Sequence, residues 1–180
     1  MVLSFMCSCF CFAEEMTKQQ RLKNTLYLQS GNYSCAKDGV LTVIDKSDKT
    51  VTPRIREGVF YVPLRFVLES FGVEVGWDDS AKCVTVSGGG KTISLSVNDD
   101  EVRLGALKEK LSRDCYIENE RTYLALEDVS KLIKCNTHFY SSGNTAVIAI
   151  GESWDSERDA EKQAVSAMEF AISPFFKMFT

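Results

Sequence analysis

Residues 56–78 read REGVFYVPLRFVLESFGVEVGWD, and this stretch contains the clearest local signals in the chain. Its first part is rich in β-branched and aromatic residues, which favours a strand, and Pro63 ends that strand because it has no backbone N–H to donate. Pro63 also suits the first turn of a helix. The next apolar residues are spaced at i, i+3, i+4 and i+7, which predicts one buried helical face: Leu64, Val67, Leu68 and Phe71.

A hairpin is predicted directly after this helix. Gly72 provides a left-handed residue that ends the helix. Val73, Val75 and Trp77 then alternate with polar residues, the chain turns at residues 78–80, and residues 83–86 form the returning strand. The unit is therefore a strand, a helix and a hairpin.

The same unit recurs 62 residues later without a gap, joining residues 39–89 to residues 101–151. The two copies share apolar character more than identity. The second copy has Glu127 where the first has Arg65, so the apolar frame is kept and the polar signature is lost. We predict an α+β fold in which two tandem strand–helix–hairpin repeats form a twisted antiparallel sheet packed on short helices.

The two ends of the chain differ from the repeats. Residues 1–13 are apolar and uncharged and precede an acidic pair, which predicts a signal peptide cleaved before Glu14. This run is too short for a permanent span, which needs about 20 apolar residues. Residues 14–36 form an N-terminal extension. Residues 152–180 predict an amphipathic helix, capped at Ser156, that packs back onto the repeats.

Export is the leading interpretation of the apolar start, with lipidation at Cys9 and simple burial of the N-terminus as alternatives. We therefore expect a secreted or cell-surface protein with no integral membrane span. The net charge of −4 and the pI near 5.2 provide no general attraction to phosphate backbones, and Lys and Arg are not clustered. Nucleic acid is not an expected ligand.

Of the seven cysteines, three lie in the leader and four follow it: Cys35, Cys83, Cys115 and Cys135. Four cysteines in an exported chain predict two disulfides, whose pairing the spacing leaves open. Free buried thiols are the alternative, because Cys83 and Cys135 alternate with apolar residues. A structural zinc site is not expected, since no pair has C-x-x-C spacing and His138 is the only histidine.

Two polar residues stand out, Arg65 on the helix and Asp78 at the start of the hairpin turn. We predict that they pair and tie the helix to the hairpin, with Arg65 as a receptor for an anionic ligand group as the alternative. Five aromatic residues are candidates for stacking on sugar rings: Phe60, Tyr61, Trp77, Phe139 and Tyr140. Because Tyr61 and Trp77 hold core-facing positions in the alternation, we expect both in the core instead.

Residues 56–78 resemble the signature of the copper amine oxidase N-terminal domain family, whose repeat runs roughly as Gly-Arg-x-Tyr-Val-Pro-Leu-Arg, a short helix and a Val-x-Trp-Asp strand. With its second copy the resemblance covers residues 37–151. It implies an accessory module of bacterial envelope proteins, often beside wall-binding domains, with copper and quinone chemistry in another domain. The sequence agrees, because such a copper site uses three histidines and this chain has only His138. A quinone precursor tyrosine also needs an acidic neighbour that residues 32–35 lack.

We find no catalytic constellation elsewhere. No Ser or Cys lies in a nucleophile motif, and the glycines at 88–90 lack the Lys-Ser/Thr of a phosphate loop. We expect a non-enzymatic module without cofactor or metal that binds a cell-wall polysaccharide or an envelope protein. The alternatives are a purely structural or interaction module whose C-terminal helix docks to a partner, and an enzyme of unrecognised type.

Overall fold

Backbone hydrogen bonds arrange the chain into three antiparallel sheets. The computed structural model describes residues 22–150, apart from residues 89, 98–99 and 105–106. The strands are β1 (Thr25–Gln29), β2 (Ser34–Lys37), β3 (Val40–Val43), β4 (Arg54–Arg56), β5 (Val59–Pro63), β6 (Glu74–Asp78), β7 (Cys83–Gly88), β8 (Lys91–Ser96), β9 (Glu101–Leu104), β10 (Leu107–Lys110), β11 (Tyr116–Glu118), β12 (Arg121–Ala125), β13 (Asn136–Tyr140) and β14 (Thr145–Ala149). The helices are α1 (Leu64–Ser70) and α2 (Val129–Leu132), with 3₁₀ turns at Leu126–Asp128 and Ser141–Gly143.

Strand order defines the sheets. Sheet I runs β13-β14-β1-β2-β3, sheet II runs β10-β9-β8-β7-β6, and sheet III runs β11-β12-β5-β4. Antiparallel sheets with a few short helices agree with the predicted class. The strands form three sheets, however, and not the one twisted sheet that we expected.

Helix α1 follows the sequence signals closely. It starts directly after Pro63 and buries Leu64, Val67 and Leu68, as the spacing of apolar residues predicts. Gly72 has φ of +77° and its N–H donates to the Glu69 carbonyl, so it takes the left-handed position that ends the helix. Helix α2 is only four residues long and lacks both the proline and the glycine.

Sheets I and II have the same internal register. The elements from β11 to β14 begin 62 residues after those from β4 to β7. Strands β9 and β10 begin 67 residues after β2 and β3. The residues of β8 pair with β7 and β9 in the same way as the residues 67 positions earlier, in β1, pair with β14 and β2. The offset changes because residues 44–53 link β3 to β4, whereas the shorter stretch 111–115 links β10 to β11. We call residues matched in this way twin positions.

The first and last strands of the described chain, β1 and β14, are neighbours within sheet I. Strand β14 pairs with β1 along its whole length, and the Ile150 N–H donates to the Asn24 carbonyl at 3.0 Å. Residues 25–36, which the sequence assigns to an N-terminal extension, supply β1 and most of β2. The predicted leader (residues 1–13) and C-terminal helix (residues 152–180) lie outside the described residues.

The main core takes side chains from all three sheets and from α1. Its fully buried members include Leu26 of sheet I, Leu95 of sheet II, Leu68 of α1, and the pair Val62 and Leu124 of sheet III. Val62 and Leu124 lie opposite each other where β5 pairs with β12. Each such side chain contributes about 1.5–3 kcal/mol through burial. None of the helices within the described residues is long and apolar enough to span a membrane.

Replacing a residue at this central pair is expected to destabilise the protein strongly. Leu124→Ala should lower the free energy of unfolding by about 2–5 kcal/mol, because a fully buried side chain leaves a cavity. Ile117→Ala on the neighbouring strand β11, where the side chain is exposed, should cost less than about 1 kcal/mol. Urea denaturation followed by circular dichroism measures both. Equal losses for the two variants would contradict this account of the core.

Candidate ligand-binding cleft

A cleft of about 750 Å³ opens between β3, α1, β6 and the turn that joins β11 to β12. Its lining is mostly apolar and includes Val43, Ile44, Leu64, Phe66, Val75, Trp77 and Ile117. Three cationic and three anionic side chains stand among these apolar groups: Lys46, Arg65, Arg121, Asp45, Glu69 and Glu120. The cleft is therefore apolar and carries balanced charge.

Trp77 provides the aromatic surface of the cleft. Its residue is 41% exposed, and its indole Nε1 donates to an Asp79 carboxylate oxygen at 3.4 Å. The prediction that Trp77 lies in the core is wrong. Alternation does place it on the same side as Val75 and opposite the buried Val84, but β6 is the edge strand of sheet II, so the ring faces the cleft.

Arg65 ties α1 to β6, although with an acceptor different from the predicted one. Its Nη1 donates to the Val75 carbonyl at 2.5 Å and lies 3.4 Å from a Glu69 carboxylate oxygen. Asp78 instead accepts from the backbone N–H groups of Ser80 and Ala81 and from the Ser80 hydroxyl. The predicted Arg65–Asp78 pair is wrong, because Asp78 is occupied in shaping its own turn.

The loop after β3 and the start of β12 are joined by an ion pair that the sequence analysis missed. Arg121 Nε donates to Asp45 Oδ2 at 2.8 Å. The other Asp45 oxygen accepts from the Ser47 hydroxyl and from the N–H groups of Ser47 and Asp48. The Ser47 hydroxyl and then the Arg121 guanidinium hold the pKa of Asp45 well below its ordinary value. These two residues are 76 positions apart, and no local pattern connects them.

The other predicted site residues do not reach the cleft. Tyr61 is buried, as expected, and packs edge-on against Tyr116 with ring centroids 5.0 Å apart. Phe60 is buried against Phe139 at 5.3 Å. Tyr140 is buried in sheet I. Of the five candidate aromatics, the structure brings only Trp77 to the cleft lining.

All four described cysteines are free thiols, so the structure has the free-thiol alternative and not the two disulfides. They lie on separate elements: Cys35 on β2, Cys83 on β7, Cys115 before β11 and Cys135 before β13. Burial raises the pKa of Cys35 and of Cys115 to about 12. Such thiols stay protonated at neutral pH and are poor nucleophiles. In the described part of the chain, no group of three or more His, Cys, Asp or Glu residues is placed to hold a metal ion.

A comparison with protein-family models identifies the chain's relatives. The model of the copper amine oxidase N-terminal domain matches residues 43–148. The chain belongs to this family. No match is found among curated proteins. The copper amine oxidase N-terminal domain is a non-catalytic accessory domain. In this chain the matched residues include Trp77, Arg65 and the Asp45–Arg121 pair.

The Asp45–Arg121 pair should make a pH-dependent contribution to stability. The pKa of Asp45 is lower in the folded than in the unfolded chain, so the stabilisation is present above pH about 4 and disappears as the pH falls further. Asp45→Asn should therefore lower the free energy of unfolding by about 1 kcal/mol at pH 7. Denaturant titrations at pH 7 and pH 3 should show a smaller difference in the free energy of unfolding between wild type and Asp45→Asn at the lower pH. Asp38→Asn, at an exposed turn residue, is the control, and a pH-independent loss for Asp45→Asn would contradict the assignment.

Alkylation tests the state of the cysteines. Under denaturing but non-reducing conditions, iodoacetamide should modify Cys35, Cys83, Cys115 and Cys135, because each carries a free thiol. In the native protein Cys35 and Cys115 should react slowest, since they are the least exposed of the four, at 3% and 0%. Peptide mass spectrometry counts the modified sites. Sites that become reactive only after reduction would show that disulfides exist.

Proposed function

We propose that this chain is a non-catalytic module of the cell envelope that binds a wall polysaccharide in the cleft. The observation that carries the proposal is the placement of Trp77, a large aromatic ring left open to solvent beside fixed polar groups. A volume of about 750 Å³ lies within the usual range for small-ligand sites.

The geometry suits a sugar ring. Trp77 is held on a strand that pairs with β7, so its ring is presented from a rigid element. An aromatic face packs on the apolar C–H side of a pyranose, and polar side chains at its margin bind the hydroxyl groups. Arg121 and Asp45 supply such groups, and their mutual ion pair fixes them in place before a ligand arrives.

The charge balance favours a neutral segment of polymer. Lys46, Arg65 and Arg121 stand against the same number of carboxylates in the cleft. An anionic ligand would require an excess of cations, since exposed charges of both signs largely offset one another. Arg65 also already donates to the Val75 carbonyl, which argues against a role as the receptor of an anionic group.

Export is part of the same proposal. The apolar, uncharged residues 1–13 and the acidic pair that follows support a cleaved leader. The secreted or cell-surface location follows from that leader, and the wall polymer is the ligand class found there.

A protein partner is the second candidate, supported by edge strand β3. Its Val40 and Leu41 are exposed, and the strand has no charged residue. The twin strand β10 instead carries Lys108, Glu109 and Lys110, charges that discourage strand addition at a sheet edge. A partner peptide that paired with β3 would extend sheet I.

Retention on insoluble wall material tests the proposal. The purified chain should be retained on peptidoglycan or wall polysaccharide more than an unrelated acidic protein. Trp77→Ala should weaken binding about fivefold or more, because it removes the stacking surface. Tyr33→Ala is the matched control, since Tyr33 is 42% exposed but lies outside the cleft. No retention, or equal losses for the two variants, would refute binding in the cleft.

A further inference from the structure

Sheet I has a second apolar face, turned away from the main core. Alternation along its strands directs Leu26, Leu28 and Ile148 into the main core. The opposite face carries a separate buried cluster: Tyr27, Ala36, Tyr140 and Val147, joined by Leu22. We call this the outer face of sheet I.

The twin positions in sheet II are polar. Tyr27, Ala36, Tyr140 and Val147 correspond to Ser94, Arg103, Asp78 and Thr85. None of these four twins is buried. Two sheets with the same register thus present opposite surfaces, one suited to water and the other to a covering layer.

The outer face of sheet I is covered. Tyr27 is 0% exposed, Ala36 1% and Val147 2%. Burial also raises the pKa of Tyr27 to about 12. Among the described residues, however, Leu22 is the only member of the cluster that does not come from a strand of this sheet. One leucine is too small to exclude water from a face that spans β13 to β2.

The described chain ends beside this face. Ile150 is hydrogen-bonded to Asn24, which is two residues from Leu22. Residues 151–180 therefore continue from the margin of the sheet. Their apolar residues recur at helical spacing and several are small, which permits close approach to aromatic rings: Ala160, Ala164, Val165, Met168, Ala171 and Ile172.

The lengths also agree. A helix over residues 156–173 would be about 27 Å long at 1.5 Å per residue. Five strands about 4.8 Å apart span about 19 Å. We infer that residues 156–173 of the same chain form a helix that docks on the outer face of sheet I. The C-terminal helix is then part of the domain and not a free element for capturing a partner.

Limited trypsin digestion of the full chain tests this inference. Cleavage after Lys162 should be slow in the wild type, because a docked helix must open before it is cut. Met168→Glu places a charge in the apolar stripe and should accelerate cleavage after Lys162 about tenfold or more. Ser166→Glu lies on the opposite side of the helical wheel and should leave the rate unchanged. Intact mass spectrometry follows the release.

A second variant acts from the side of the sheet. Tyr27→Ser, Ala36→Arg and Val147→Thr together give sheet I the residues that sheet II has at three of the four twin positions. This variant should also release the C-terminal segment while circular dichroism still shows strands. The Met168→Glu variant keeps the test decisive if the triple variant does not fold.

Two results would overturn the inference. Rapid cleavage after Lys162 in the wild type, at the rate of the Met168→Glu variant, would show that the segment is not docked. A wild-type dimer in light scattering that becomes monomeric in the Tyr27→Ser, Ala36→Arg, Val147→Thr variant, with unchanged cleavage after Lys162, would show that a second copy covers the face.

Discussion

The pairing of β5 with β12 joins the two halves of the molecule. Val62 lies opposite Leu124 at its centre, and both side chains are fully buried. Because Pro63 ends β5 and α1 follows at once, this pairing also sets where the helix begins and where Arg65 stands. Arg121, the first residue of β12, reaches the cleft from the same sheet. The pairing of β5 with β12 therefore supports both the core and one wall of the cleft.

The two halves have the same strand-pairing register but differ in the chemistry of their surfaces. The first half keeps Arg65 and Trp77, which line the cleft, whereas the second has Glu127 and Phe139 at the corresponding positions. Phe139 packs on Phe60 in the core. The differences between sheets I and II follow the same logic, because one outer face is polar and the other is buried. A common backbone frame thus places Trp77 at an open cleft in one half and packs Phe139 against Phe60 in the other.

Local patterns in the sequence identified the family, the helix α1 and the hairpins, because spacing alone determines which side of an element a residue occupies. Val67 and Leu68 are buried as their spacing predicts. The predictions that were wrong concern which other part of the chain packs against a residue. Trp77 points to the predicted side but meets a cleft, since β6 has no further strand beside it. The Asp45–Arg121 pair and the closure of β14 on β1 depend on long-range pairing, which no local pattern encodes.

The hydrogen bond between Ile150 and Asn24 has a mechanical consequence. Neighbouring antiparallel strands β1 and β14 receive the flanking chain at the same end of the sheet. A force that pulled those two flanks apart would load one pair at a time, beginning with the Ile150–Asn24 hydrogen bond and continuing with Thr25 opposite Ala149. Such a geometry unzips and does not shear, so the strands would separate at low force. A tether attached at only one flank would leave this seam unloaded.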